Sequence, residues 1–215
     1  MTPPGEKHRR QRFTHPFTPL TTRARLRSLR RCLEARPPDA EALWIFGYGS
    51  LMWNPAFTPV ASESGRLEGW QRRMCVWTTL ARGTPDLPGL SLGLSAGGVC
   101  TGMLFRVPER NCRQALASLW RREIWTDIYQ PRWVTVKGQG GRRQAITFVV
   151  NRDSGQYAGT LPQSEQIFHI AHAVGERGTC RDYLEQTVSR LETLAIREPE
   201  LNELYAKVNR YDQFA

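Results

Sequence analysis

A short apolar run that ends in a glycine-rich turn constrains the fold of this chain more than any other feature. Residues 43–46 read Leu-Trp-Ile-Phe, and residues 47–50 read Gly-Tyr-Gly-Ser. Uninterrupted apolar residues followed directly by glycines are typical of a buried strand that enters a tight turn. The sequence therefore predicts that the main domain begins near Glu41 with a buried strand.

Strand-like segments outnumber helix-like segments in the first two thirds of the chain. Further strands, rich in branched or aromatic residues, are predicted at residues 73–79, 90–94, 101–107, 133–137 and 145–150. One helix is predicted at residues 109–122. Three more are predicted to close the chain, the second of them opened by a capping box of Thr179 and Asp182. Strands with short connections and then a helical tail favour an α+β fold over alternating βαβ units.

The first 40 residues carry most of the net charge of +10. Residues 1–19 combine prolines, histidines and arginines without an apolar period, which predicts a disordered basic arm. Residues 20–40 carry leucines at helical spacing until Pro37 and Pro38 stop the pattern, which predicts a basic amphipathic helix and a linker. We expect the domain itself to span residues 41–215.

This charge distribution argues against a general nucleic-acid-binding domain, which would spread basic residues over one folded face. Any nucleic-acid binding is expected only through the basic arm. No stretch approaches the roughly 18 to 20 apolar residues of a membrane span, so we expect no membrane partner. The oligomeric state is left open.

The cysteines and histidines indicate neither disulfides nor a metal site. The five cysteines are scattered and never form a C-x-x-C pair, which fits a cytoplasmic protein in a reducing compartment. His169 and His172 stand three residues apart, but no third ligand accompanies them. We therefore expect no metal and no cofactor.

The glycine-rich turn by itself leaves its role open. The dinucleotide-binding pattern lacks its third glycine, because Met52 stands in that place. Ser50 lacks the second glycine of a nucleophile elbow. The turn is either a plain tight turn or a cradle of backbone amides that binds an anion such as a carboxylate.

The longer sequence of residues 46–55, Phe-Gly-Tyr-Gly-Ser-Leu-Met-Trp-Asn-Pro, is more specific than its glycines. Other motifs follow it at residues 67–70 (Leu-Glu-Gly-Trp), 82–85 (Arg-Gly-Thr-Pro), 119–123 (Leu-Trp-Arg-Arg-Glu), 129–133 (Tyr-Gln-Pro-Arg-Trp) and 156–159 (Gln-Tyr-Ala-Gly). In order and rough spacing, this set resembles the ChaC family of γ-glutamylcyclotransferases. The resemblance covers about residues 44–195.

The resemblance implies a small mixed β-barrel flanked by helices. It also implies that one glutamate, Glu123, is the acid/base catalyst. The loop that grips the γ-glutamyl group would consist of Tyr48, Gly49, Ser50 and Leu51. Arg82, Tyr129 and Tyr183 fall in or beside family-like segments and are expected to line the pocket. Cys180 stands where the family pattern has asparagine, and the effect of this change on the pocket is open.

Without the resemblance, Glu123 reads as a surface glutamate paired with Arg121 or Arg122, since glutamates are mostly exposed. Its neighbours Ile124 and Trp125 are apolar, however, and an apolar setting raises a carboxyl pKa by desolvation. The two interpretations predict different exposure for this side chain.

By resemblance the reaction is the intramolecular attack of a γ-glutamyl α-amine on its own γ-carbonyl, which releases 5-oxoproline. Glutathione is the leading small-molecule substrate, with cysteinylglycine as the other product. Two alternatives stay open. One is a cyclotransferase for other γ-glutamyl amino acids or amines, and the other is an inactive domain that binds RNA or another anionic partner through the basic arm.

Overall fold

A closed barrel of five strands forms the centre of the structure, a computed structural model that describes residues 11–211. The strands are β1 (Trp44–Gly47), β2 (Ala61–Thr78), β3 (Gly89–Arg106), β4 (Tyr129–Gly138) and β5 (Gly141–Val150). They are arranged in the order β1-β3-β2-β4-β5. The barrel closes because β1 pairs antiparallel with β3 and parallel with β5.

Strand β1 is as buried as its sequence predicts. Ile45 and Phe46 have no solvent exposure, and Gly47 approaches its neighbours closely. A Cβ atom on Gly102 of β3 would lie 2.3 Å from the Gly47 carbonyl oxygen, so this strand crossing requires glycine. Strand β1 therefore ends at Gly47, and the turn at residues 48–54 continues from there into the interior of the protein.

Strands β2 and β3 form a long hairpin. The sequence analysis predicted several shorter strands in this region. The predicted strands at residues 90–94 and 101–107 lie mainly within the single strand β3. Register shifts between Glu68 and Trp70 and between Met74 and Val76 bend the hairpin. The loop at its tip, residues 79–88, carries Arg82 and is important for the site described below.

Within the described residues, five α-helices flank the barrel: α1 (Thr22–Glu34), α2 (Cys112–Glu123), α3 (Gln163–His172), α4 (Cys180–Thr193) and α5 (Pro199–Tyr211). The capping box predicted at Thr179 and Asp182 opens α4. Two short strands, β6 (Val174–Gly175) and β7 (Gly178–Thr179), form a small hairpin before it. The predicted fold class, a small mixed barrel flanked by helices, is confirmed.

Helix α1 packs on the barrel rather than extending away from it. Thr21 caps the helix by accepting a hydrogen bond from the Ala24 amide at 3.2 Å. The Trp120 indole donates to Ser28 Oγ at 3.2 Å, and the Trp133 indole donates to the Cys32 carbonyl at 2.7 Å. The helix thus covers α2 and β4, while its arginines Arg23, Arg27 and Arg30 are exposed.

The segment before α1 corrects the predicted disordered arm. Residues 1–10 lie outside the described residues, but residues 11–20 contact the domain. The Phe13 amide donates to the Pro85 carbonyl at 2.8 Å, and the Leu20 amide donates to the Trp125 carbonyl at 2.7 Å. Phe13 and Phe17 are partly buried against the main core. The expectation of disorder is therefore wrong for residues 11–19, because two aromatic side chains outweigh a composition poor in apolar periodicity.

Within residues 11–211, no helix has the length and apolar character required to cross a membrane. In the same residues, no group of three or more histidine, cysteine or acidic side chains is arranged to hold a metal ion. His169 is buried against the Pro88 carbonyl at 2.7 Å, whereas His172 is exposed and bonds within its own helix. The pair does not form the beginning of a metal site.

A buried arginine connects the barrel, the turn and the helical layer. Arg72 of β2 donates to the Tyr48 carbonyl at 2.5 Å and to the Thr101 carbonyl at 2.7 Å, and it pairs with Glu198. The Arg72 side chain has no exposure, and that of Glu198 is 18% exposed. Removing one partner of such a group leaves the others desolvated and unpaired.

We expect Arg72→Met to lower the free energy of unfolding by about 3 kcal/mol, because two carbonyls and a largely buried carboxylate lose their partner. Urea unfolding measures this change. The matched control is Arg73→Met at the next position, where the described part of the chain shows no side-chain hydrogen bond. Equal losses in the free energy of unfolding of Arg72→Met and Arg73→Met would contradict this structural role of Arg72.

Candidate functional site

A cavity of about 910 Å³ opens where the turn after β1, the β2–β3 loop, the end of α2 and the start of α4 meet. Small-molecule pockets usually enclose about 300 to 1,000 Å³, so the cavity has the size of a ligand site. Five of the residues expected in the site line it, namely Ser50, Arg82, Glu123, Tyr129 and Tyr183. The barrel therefore brings together segments that lie far apart in the sequence.

The other three expected residues lie behind this wall. Tyr48 is buried, and its hydroxyl donates to the Phe148 carbonyl at 2.9 Å. Leu51 is buried in a second core cluster with α2. Gly49 is not part of the lining, and its φ of −130° is accessible to any residue. These residues shape the turn from inside, and of the four turn residues expected in the site, Ser50 is the one that lines the cavity.

The turn leaves backbone donors without a protein acceptor. Met52 and Asn54 donate to the Gly49 and Ser50 carbonyls at 2.8 and 3.0 Å. Among the backbone hydrogen bonds of residues 11–211 that lie outside the helices and strands, none is donated by the Ser50 or Leu51 amide. Free amides in a turn are the feature that an anion cradle requires. These two amides are the donors that the cradle interpretation requires.

Glu123, the last residue of α2, is not a surface glutamate. Its side chain is only 16% exposed, and its carboxylate lies 3.1 Å from Arg122 Nε. Desolvation raises the pKa of Glu123 to about 7, even though the Arg122 guanidinium acts to lower it. The carboxyl therefore exchanges its proton near neutral pH, which suits a general acid or base.

Arg122 is a site residue that sequence reasoning missed. It donates to Ser50 Oγ at 2.6 Å and to the Asn54 carbonyl, in addition to pairing with Glu123. One guanidinium thereby joins the turn to the carboxyl. The sequence signal that could have found Arg122 is its position directly before Glu123 in the Leu-Trp-Arg-Arg-Glu motif.

Tyr129 and Tyr183 converge on the backbone of one residue. The Tyr129 hydroxyl donates to the Leu92 carbonyl at 2.5 Å, and the Leu92 amide donates to the Tyr183 hydroxyl at 3.3 Å. Burial raises the pKa of both phenols, so both stay protonated. Arg82 lies over the Tyr183 ring at 5.7 Å and donates to the Thr179 carbonyl at 3.1 Å. The wall formed by these side chains is fixed by hydrogen bonds.

Cys180 performs a structural task at the position where asparagine was expected. Its sulfur accepts from the Leu90 amide at 3.2 Å and donates to the Leu90 carbonyl at 3.1 Å. Burial raises the pKa of this thiol to about 12, so it is not a nucleophile at neutral pH. The thiol binds both backbone groups of one residue, as a side-chain amide could, and it does not line the cavity.

The comparisons with known proteins agree with this geometry. A family model described as ChaC-like protein matches residues 43–211. The glutathione-specific gamma-glutamylcyclotransferase of Escherichia coli (strain K12) is 38% identical over 187 residues, which are 86% of this chain and 80% of that protein. The human glutathione-specific gamma-glutamylcyclotransferase 1 is 30% identical over 180 residues, 81% of this chain and 80% of that protein.

A solved structure supports the fold independently. The crystal structure of a gamma-glutamyl cyclotransferase specific to glutathione from yeast superposes with a TM-score of 0.71 at 20% identity. The match covers 80% of this chain and 99% of that chain. The barrel and its flanking helices are thus a shared architecture.

We expect Arg122→Gln to raise the pKa of Glu123 above its value of about 7, because the guanidinium is the group that lowers it. Carboxyl ¹³C NMR titration measures this pKa directly, with Glu123→Gln used to assign the signal. The control is Arg121→Gln, which removes a neighbouring charge that does not contact the carboxyl. An unchanged or lower pKa in Arg122→Gln would contradict the described pairing.

Glu123 should also make folding pH-dependent. Its pKa is higher in the folded protein than its ordinary 4.5, so the folded state holds the proton more tightly between those values. Stability therefore falls as the pH rises through about 4.5 to 7. Glu123→Gln removes this cost, and its stability relative to wild type should rise by about 2 kcal/mol between about pH 5.5 and 8.5.

Urea unfolding at the two pH values tests this expectation. Glu68→Gln is the matched control, because the Glu68 side chain is 77% exposed and its environment changes little on folding. If stability relative to wild type rises equally in Glu123→Gln and Glu68→Gln between the two pH values, burial of Glu123 has no energetic effect.

Proposed function

The chain belongs to the ChaC family, and we propose that it is a γ-glutamylcyclotransferase that cleaves glutathione to 5-oxoproline and cysteinylglycine. The family assignment rests on the match over residues 43–211, and the substrate assignment follows the relatives named glutathione-specific. The reaction needs no cofactor, because it rearranges the bonds of one molecule.

One observation supports this function more than any other. The cavity contains a largely desolvated carboxyl, Glu123, whose pKa is raised to about 7. Cyclisation needs a group that first accepts a proton and then donates it. A carboxyl with a pKa near the working pH performs both steps efficiently, which an exposed glutamate with a pKa near 4.5 does not.

The proposed mechanism begins with the γ-glutamyl group folded so that its α-amine faces its own γ-carbonyl. Glu123 accepts a proton from the ammonium, and the amine nitrogen attacks the carbonyl carbon to close a five-membered ring. Glu123 gives its proton to the cysteine nitrogen, and the bond between that nitrogen and the carbon breaks as the oxyanion reforms the carbonyl. The ring nitrogen passes its second proton to the departing amine, which leaves as an ammonium group. Holding the two reacting groups together supplies much of the rate.

The turn and Arg122 would provide the positive potential for this reaction. The free amides of Ser50 and Leu51 are proposed to bind a substrate carboxylate or the developing oxyanion. Glutathione carries two carboxylates, and four arginines line the cavity, namely Arg82, Arg121, Arg122 and Arg177. Tyr129 and Tyr183 would shape the wall on which the substrate rests, and Tyr48, Gly49 and Leu51 would hold the turn from inside.

Ser50 is proposed to orient Arg122 rather than to attack the substrate. The hydroxyl accepts a hydrogen bond from Arg122, and an arginine does not remove a proton. A serine nucleophile would need an adjacent base. The mechanism therefore contains no covalent enzyme intermediate.

We also place the protein in the cytoplasm as part of this proposal. All five cysteines are free thiols, and four of them are buried. A reducing compartment keeps such thiols unpaired, and it is also a compartment where reduced glutathione is the prevailing form.

Chromatographic detection of 5-oxoproline tests the function. The purified protein should release it from glutathione, and more slowly from γ-glutamylalanine, whose leaving amine is shorter. Faster turnover of γ-glutamylalanine would instead support the alternative of a general γ-glutamyl amino acid cyclotransferase.

Glu123→Gln should lower kcat on glutathione by at least about a hundredfold, because the amide cannot accept the ammonium proton. The variant should remain folded and be more stable than wild type above neutral pH. Loss of activity would then not be a consequence of unfolding. Near wild-type kcat in the folded variant would remove Glu123 from the mechanism.

A further inference from the structure

The segment at residues 11–20 precedes the part of the chain that matches the family, residues 43–211, yet it reaches the cavity. It is attached at three points. Besides the Phe13 and Leu20 amides, the Phe17 amide donates to Thr79 Oγ1 at 3.3 Å. The segment therefore crosses from the β2–β3 loop to the turn that follows Glu123.

The two ends of this crossing belong to different walls of the cavity. Thr79 directly follows β2 and shares its loop with Arg82. Trp125 lies two residues after Glu123 and, like Thr79, lines the cavity. Phe17, whose amide bonds to Thr79, lies between the attachments of Phe13 and Leu20 and lines the same cavity.

Phe17 is held in place by its surroundings. Its ring packs edge-to-face on Phe13, with centroids 4.8 Å apart, and Phe13 packs in the same manner on Trp77 at 6.3 Å. Trp77 is buried in the main core. The aromatic series therefore fixes the Phe17 ring in the cavity wall, whose lining also includes Trp77 and Trp125.

We propose that Phe17 is a specificity-determining residue that contacts the leaving amine of the substrate. This inference rests on the proposed function, which places the γ-glutamyl end at Glu123 and Ser50. Arg122 joins these two side chains, so the reacting end occupies that wall. The remainder of the substrate then extends under the segment, towards Phe17 and the β2–β3 loop.

The test compares kcat/KM for glutathione and for γ-glutamylphenylalanine, whose leaving amine carries an aromatic ring. Phe17→Ala opens space of about that size. We expect the ratio of kcat/KM, glutathione over γ-glutamylphenylalanine, to fall at least about tenfold. Phe17→Trp narrows the same space, so the ratio should rise, and this variant tests the proposal even if the alanine variant does not fold.

Phe13→Ala is the matched control. It removes the same ring from the same segment, but Phe13 does not line the cavity. Its ratio should change by much less than that of Phe17→Ala, because Phe17 keeps its own ring and its amide hydrogen bond to Thr79 when the Phe13 ring is removed.

The outcomes separate the two proposals. Wild-type protein that forms no 5-oxoproline from glutathione would reject the proposed function. An active wild type whose ratio is unchanged in Phe17→Ala and Phe17→Trp would overturn the role of Phe17. So would a change in Phe13→Ala as large as that in Phe17→Ala, because the effect would then come from the packing of the segment.

Discussion

The buried guanidinium of Arg72 is the interaction on which the arrangement of the molecule depends. It binds a carbonyl in the turn after β1, a carbonyl in β3 and a carboxylate just before α5. A charge removed from water must have all its partners in place. The barrel, the turn and the C-terminal helices are therefore held in one relative position.

The same packing creates the chemistry of Glu123. Helix α2 places Leu119 and Trp120 in the second core cluster and ends with the glutamate at the cavity. Burial disfavours the ionised carboxylate, and Arg122 compensates only in part. Burial of Glu123 thus lowers the folding stability at high pH and gives a carboxyl that titrates near neutrality. This exchange of stability for reactivity is common at active sites.

The N-terminal segment adds a wall to the cavity that is absent from the family-matching region. Two phenylalanines attach it, and one of them faces the ligand space. If Phe17 has the proposed role, part of the substrate preference lies outside residues 43–211. Loops and extensions tolerate such changes because few core contacts depend on them.

The sequence by itself determined what local patterns encode. The apolar run before the glycines predicted β1, the Thr179 capping box predicted the start of α4, and the ordered motifs identified the family and pointed to Glu123 as a candidate. The sequence did not determine contacts between distant residues. Phe17 and Thr79 are 62 positions apart, and Arg72 and Glu198 are 126 positions apart. Only the tertiary structure brought these pairs together, because burial and hydrogen bonding between distant segments follow from the closure of the barrel. For the same reason, composition suggested disorder at residues 11–19, whereas the Trp77 surface that binds Phe13 exists only after β2 has folded.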